Sequence, residues 1–241
     1  AREARKALGD LAWAGIDLGL DNTPTEFTGY EKDRDTAKVL AVCVDGEVTG
    51  VIAGGEAGIL VLDRTPFYAE MGGQTADHGS ITVGQSEFVV TNVQKDKGGK
   101  YLHHGKLLTG EIKVDDEAVA AIDRTRRAAI CRAHSATHLL QSALVKVLGD
   151  HCHQAGSLVE PDRLRFDFTH YEAISREDLK KIEDETIRAI LSGTVINIAI
   201  AGADNKTVFI IIFKDVVLVF LQIILFKSLV YAGHVQIIDV Q

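Results

Sequence analysis

The chain has 241 residues, of which 46% are apolar, 25% charged and 6% aromatic, enough for one large core or two modest ones and the mix of a soluble globular protein. A formal charge of −8 excludes a surface that attracts nucleic acid all over, so any RNA contact has to use a local basic patch. Three widely spaced cysteines (Cys43, Cys131, Cys152) exclude a disulfide framework and fit a reducing cytoplasm, and the charged start AREARKALGD excludes a secretory signal.

The first residue is Ala and the only methionine is Met71, so the chain reads as a piece of something longer. Residues 1–20 place Leu8, Leu11 and Ala12 on one side at helical spacing, which predicts a helical linker weakened by Gly15 and Gly19. From 21 to about 115 the texture changes to short Val- and Ile-rich runs punctuated by Gly and Asp. AKVLAVCVDG, VTGVIAG, AGILVLD, GSITVG and EFVVTNVQ read as strands, with Asp45-Gly46 a hairpin turn and Lys97-Gly98-Gly99 another loop. Strands this short and close predict a small antiparallel β-barrel.

Residues 116–148 read as helical, with Ala118, Ala121, Ile122, Ala133, Ala136, Leu140, Leu144 and Val147 recurring at three and four, and Gly149 as the stop. A strand-like stretch follows, with Leu164, Phe166 and Phe168 alternating. A second helix then begins at the N-cap Ser175, and Asp178 stands three positions on, where a capping box prefers Glu. The fold class predicted is therefore α+β: a helical linker (1–20), a β-barrel (21–115), an α+β core (116–191) and an atypical apolar tail (192–241). In that tail Thr207–Phe226 is 20 residues, the length of a membrane span. Lys214 and Asp215 near its middle would each cost ~2.5–3.5 kcal/mol at a bilayer centre, so buried or aggregation-prone strands are expected and no membrane span.

The sharpest local pattern is His134-Ser-Ala-Thr-His138. Four residues apart on a helix, the two imidazoles share a face about one turn apart, a common way to offer two nitrogens to one zinc ion. Alone the pattern is weak, since such pairs are more often structural or solvated. Cys131 shares the face but lies seven residues from His138, about 10.5 Å along the axis, too far for one ion to take all three; it reads as a small buried hydrophobe. The densest basic patch is Arg124, Arg126, Arg127 and Arg132, which is otherwise simply a solvated helix start.

Three long segments occur in order: LDRTPFYAEMGGQTADHGSI, RRAAICRAHSATHLLQSAL and HQAGSLVEPDRLRFDFTH. Together, over about residues 1–190, they resemble the editing half of alanyl-tRNA synthetases, and they are similar to the free-standing deacylases related to it. The resemblance implies that His134 and His138 are the first two zinc ligands of an editing site. It also implies that Thr137 is a hydroxyl beside the metal, Gln154 a polar pocket residue, and Arg165 and Asp167 residues that shape that pocket. Otherwise Arg165 and Asp167 make a cross-strand ion pair worth a few tenths of a kcal/mol. Gly72, Gly73 and Gln74 match the glycine-rich loop of the barrel and, with the four arginines, are implied in tRNA binding. A bare tight turn is the other reading of the two glycines.

The function implied is that of alanine–tRNA ligases, binding the alanine tRNA and hydrolysing its mischarged Ser and Gly esters, with Zn2+ as cofactor. ATP would be used only by an aminoacylation domain upstream of Ala1, and no DNA partner is implied. The family completes its zinc site with a Cys-Gly-Gly-Thr-His segment, and none occurs here. Tyr231-Ala-Gly-His234-Val-Gln stands nearly as far beyond His138 as the family's segment lies beyond its first histidine pair, which makes His234 the remaining candidate ligand there. Strand alternation would put Cys152 on the face of Gln154, with His151 and His153 opposite. An inert core cysteine is the competing reading. Two alternatives therefore stand beside hydrolysis: a non-catalytic module that binds the tRNA acceptor stem, and an inactive truncated fragment.

Overall fold

The computed structural model describes Leu20, residues 23–192 and residues 237–239. The expected linker helix (all but Leu20), the apolar span and His234 lie outside the described residues. Two compact units divide the chain, residues 1–71 with 75–127 and residues 72–74 with 128–241.

Among the described residues the first unit has eleven strands: β1 (Glu26–Phe27), β2 (Arg34–Val44), β3 (Glu47–Thr49), β4 (Val51–Ala53), β5 (Ala57–Leu62), β6 (Arg64–Thr65), β7 (Gly79–Val83), β8 (Ser86–Lys95), β9 (Tyr101–Thr109), β10 (Glu111–Lys113) and β11 (Glu117–Ile122). Six of them run β11-β7-β8-β9-β5-β2, and β2 pairs back to β11, closing an antiparallel barrel. Closure leaves these strands no open edge to template aggregation. Val39, Leu60, Leu62, Phe67, Ile81, Phe88 and Leu107 fill the interior. The Asp45-Gly46 turn joins β2 to β3 with both residues at positive φ (51° and 84°), as a two-residue type I′ hairpin requires.

The helix expected from residue 116 is corrected here: 117–122 is the closing strand of the barrel. Ala118, Ala120 and Ile122 point inward, alternating with Glu117, Val119 and Ala121. Alanine is a strong helix former, and its recurrence at three and four hides the period of two. Pairing with both β2 and β7 overrides that local preference.

Helix α1 (Arg124–Leu148) follows at once, with Asp123 accepting from the backbone N–H of Arg126 at 3.0 Å. Gly149, at φ 115°, ends it. In the second unit α1 leads to the hairpin β12 (Gln154–Val159) and β13 (Leu164–Phe168), then to helix α2 (Arg176–Leu191). A short strand, β14 (Ile237–Asp239), runs parallel to β13. Leu140, Leu144, Leu164, Phe166, Phe168 and Ile182 make the core between helices and hairpin. Ser175 caps α2 as expected, accepting from the N–H of Asp178 at 3.1 Å. The class is α+β, and no helix among the described residues is long and apolar enough to cross a membrane.

Candidate functional site

Two consecutive glycines at positive φ, Gly72 (64°) and Gly73 (88°), turn the chain so that residues 72–74 pack with the second unit. Gly73 accepts from the N–H of Val159 at 2.7 Å, and Gln74 bridges Val159 in parallel. A Cβ at Gly73 would collide with the carbonyl of Ser157, whereas the space over Gly72 is open. Gly73 therefore has to be glycine twice over, for its φ and for the close approach to β12.

The last residue of the segment meets His134. Gln74 is only 7% exposed, and its Oε1 accepts from Nδ1–H of His134 at 2.7 Å. An amide oxygen only accepts, so the proton of a neutral His134 sits on Nδ1 and its lone pair on Nε2. One turn on, His138 stacks on His134 with ring centroids 5.3 Å apart and planes 28° apart. Burial lowers the affinity of both rings for a proton, and for His134 the neighbouring His138 lowers it further. Both shifts favour the neutral ring, the state in which an imidazole can ligate a metal or accept a proton.

The other residues named from the sequence are placed as follows. The Thr137 side chain is buried, and its hydroxyl donates to the carbonyl of Ala133 at 3.0 Å, inside its own helix. Gln154 is exposed and donates to the Ser157 hydroxyl at 3.1 Å. Arg165 and Asp167 pair at 3.0 Å, but along one strand, two residues apart in β13, and not across strands. In the first unit, Arg127 is turned inward, donating to Asp77 and to the carbonyls of Gly29 and Pro66. Arg124 is exposed and pairs with Asp33 at 2.8 Å. Arg126 reaches the carbonyl of Ala76 at 3.4 Å, while Nε of Arg126 and Nε of Arg132 are buried without a hydrogen-bond partner.

Cys152 does not follow strand alternation, because β12 begins only at Gln154 and residues 151–153 form an irregular loop. Its Sγ lies 3.8 Å from Nε2 of His151 and 3.9 Å from Nδ1 of His170. Among the described residues those three make the one group of three or more potential metal-ligating side chains, so nothing there joins His134 and His138 as a third donor.

A family model described as tRNA synthetases class II (A) matches residues 11–126. The alanine–tRNA ligase of Acetivibrio thermocellus is 44% identical over 199 residues, which is 83% of this chain and 22% of that protein. The alanine–tRNA ligase of Halorhodospira halophila is 49% identical over 173 residues, 72% of this chain and 20% of its own. The chain belongs to the alanyl-tRNA synthetase family. It spans about a fifth of the length of the curated relatives it matches, with 23% for that of Desulforamulus reducens.

Within this alanyl-tRNA synthetase chain, sequence reasoning assigned Gln74 with the glycines to RNA contact and missed its bond to His134. The available signal was a polar residue directly after two glycines, since only a backbone making a tight approach needs both.

Proposed function

We propose that this chain carries the editing chemistry of an alanine–tRNA ligase: it binds the alanine tRNA and hydrolyses the ester that holds a wrongly attached serine or glycine. A pocket that accepts alanine cannot exclude glycine by size, and one hydroxyl yields only ~1–3 kcal/mol of discrimination, so such an enzyme needs a second, hydrolytic site. The observation that carries the reading is the stacked pair of half-buried His134 and exposed His138, with the tautomer of His134 set by Gln74.

Zinc at this pair would find two nitrogen donors among the described residues, fewer than the three protein ligands of a working zinc hydrolase. Hydrolysis here therefore rests on side chains alone. Nε2 of His134 takes a proton from water as the water oxygen attacks the ester carbonyl. When the tetrahedral intermediate collapses, the ribose oxygen leaves and takes that proton back. Gln74 stabilises the imidazolium that exists between the two steps, because its amide oxygen already faces Nδ1–H. His138, neutral beside it, sets no full charge against the one that develops. Arg165 and Asp167 hold the β13 side of the same unit in shape, and Gln154 offers an exposed amide for the substrate.

For the RNA, the exposed Arg124 is the readiest cation, since its surface pair with Asp33 is worth little and phosphates can displace it. Gly72 has open space for a close nucleotide, whereas Arg126 and Arg132 bury their Nε and Arg127 is committed to the fold.

A second reading, binding of the acceptor stem without turnover, is favoured by the same two-donor count. Incubation of the chain with Ser-tRNA(Ala) separates them. Release of serine above the blank rate, falling ~10²–10⁴-fold in His134→Ala, is expected for general-base hydrolysis. Salt-sensitive tRNA retention with no release establishes the binder, and release indifferent to His134→Ala sinks the assignment of this site.

A further inference from the structure

The hydrolytic steps above use none of the side chains of His151, Cys152 and His170. Here His151, Cys152 and His170 bring two imidazoles and a thiol together, with ligating atoms all within 4.8 Å of one another. We propose that these three side chains form a second transition-metal site, suited to zinc, that clamps the α1–β12 loop to the end of β13.

The distances are close to those a metal would impose. Tetrahedral zinc, with Zn–N near 2.0–2.1 Å and Zn–S near 2.3 Å, sets its nitrogens about 3.3 Å apart and each nitrogen about 3.6 Å from sulfur. The two S···N separations are 3.8 and 3.9 Å, and Nε2 of His151 lies 2.8 Å from Nδ1 of His170 in a hydrogen bond. Only that pair has to open, by about half an ångström, for an ion to sit between all three.

The backbone that carries them is already fixed. Thr169 Oγ1 donates to the carbonyl of His151 at 2.8 Å and accepts from the N–H of His153 at 3.1 Å. The N–H of Thr169 reaches the carbonyl of His153 at 3.0 Å, and Gln141 donates to the carbonyl of Cys152 at 2.8 Å. A site whose scaffold is rigid before the metal arrives loses little entropy on binding. Cys152 is fully buried, the two histidines are half-buried, and the exposed Tyr171 stacks on His151 at 4.4 Å. Buried sulfur with nitrogen donors nearer solvent describes a site with one open position, which water would fill. A nitrogen–sulfur donor set selects zinc over calcium or magnesium, which prefer oxygen.

Proton bookkeeping is simple. Cys152 gives its proton to solvent as its sulfur bonds the ion. The proton shared between the histidines moves to the far nitrogen of the ring that carried it, so both facing nitrogens offer lone pairs.

Cobalt(II) added to the full 241-residue chain tests the site, because a thiolate ligand gives a near-ultraviolet charge-transfer band and tetrahedral geometry gives intense visible bands. One equivalent showing both bands is expected. Cys152→Ser should abolish the charge-transfer band, and His170→Ala should weaken binding more than the ~10–100-fold that loss of an outer-shell partner costs. His170→Ala removes a half-exposed ring, so it keeps the test valid if the buried Cys152→Ser variant does not fold. Cys131→Ser and the double variant His134→Ala/His138→Ala should leave the bands unchanged, which separates this site from the editing pair. No cobalt uptake, uptake without a thiolate band, or a band that follows Cys131 or His134 and His138 overturns the proposal.

Discussion

Arg127 donates through Nε to both oxygens of Asp77, at 2.9 and 3.0 Å, and through its two terminal nitrogens to the carbonyls of Gly29 and Pro66 at 2.9 and 3.0 Å. Asp77 is 1% exposed and also accepts from the N–H of Tyr68 at 2.8 Å. Arg127→Met would leave that carboxylate buried and uncompensated, which costs about 3–5 kcal/mol and should appear as a lower urea midpoint. A loss below about 1 kcal/mol would show that water reaches the carboxylate. Arg127→Lys should recover only part, because an ammonium cannot serve three acceptors in a planar fork. The four arginines were plain in the sequence as one basic cluster, but the acceptors of Arg127 lie 50, 61 and 98 positions away. Spacing along a helix shows which side chains are neighbours. It says nothing of a carbonyl that tertiary folding delivers. The same limit hid the contact between Gln74 and His134, while the His134–His138 pair, four residues apart, was fully legible.

At the scale of elements, the legible parts are those whose determinants are local. The Asp45-Gly46 hairpin, the Lys97–Gly99 loop, the Gly149 stop and the Ser175 cap each rest on a backbone angle or a bond within a few residues. Strand β11 was misread because its identity depends on two partners, β2 and β7, distant in sequence. The segment 72–74 is of the second kind too, since the glycines announce a turn but not the strand they turn toward. Gly73→Ala tests what that turn is for. Its positive φ and the Ser157 carbonyl both oppose a Cβ, so residue 74 should be pushed off His134. The expected result is a large fall in Ser-tRNA(Ala) hydrolysis with the cooperative unfolding of the chain retained. Wild-type turnover in Gly73→Ala would mean that the segment positions nothing.

For the molecule as a whole, buried neutral histidines tie stability to pH. In the barrel, His103 is fully buried, with Nδ1–H donating to the Leu60 carbonyl at 3.0 Å and Nε2 accepting from Thr65 at 2.8 Å. Desolvation holds both His103 and His104 down at about 4, from an ordinary 6.5. The unfolded chain therefore takes up protons between pH 6.5 and 4 that the folded barrel refuses. Stability present above pH 6.5 is lost as the pH falls toward 4, by a few kcal/mol for His103 alone as an order of magnitude. Urea midpoints at pH 7 and pH 4.5 should differ accordingly, and equal midpoints would mean that the rings protonate without cost. The barrel that imposes this burial was legible from its short strands, whereas the order of those strands around it was not, because strand order depends on partners distant in sequence.

The tautomer and titration of His134 can be read by long-range proton–nitrogen NMR on the chain with 15N-labelled histidine, from pH 5 to pH 8. At pH 7 the proton of His134 should sit on Nδ1, facing Gln74, with the ring titrating below 6.5 and Gln74→Leu abolishing the tautomer preference. A proton on Nε2, or a ring that titrates at or above 6.5, would contradict a base held neutral and oriented for attack on an ester.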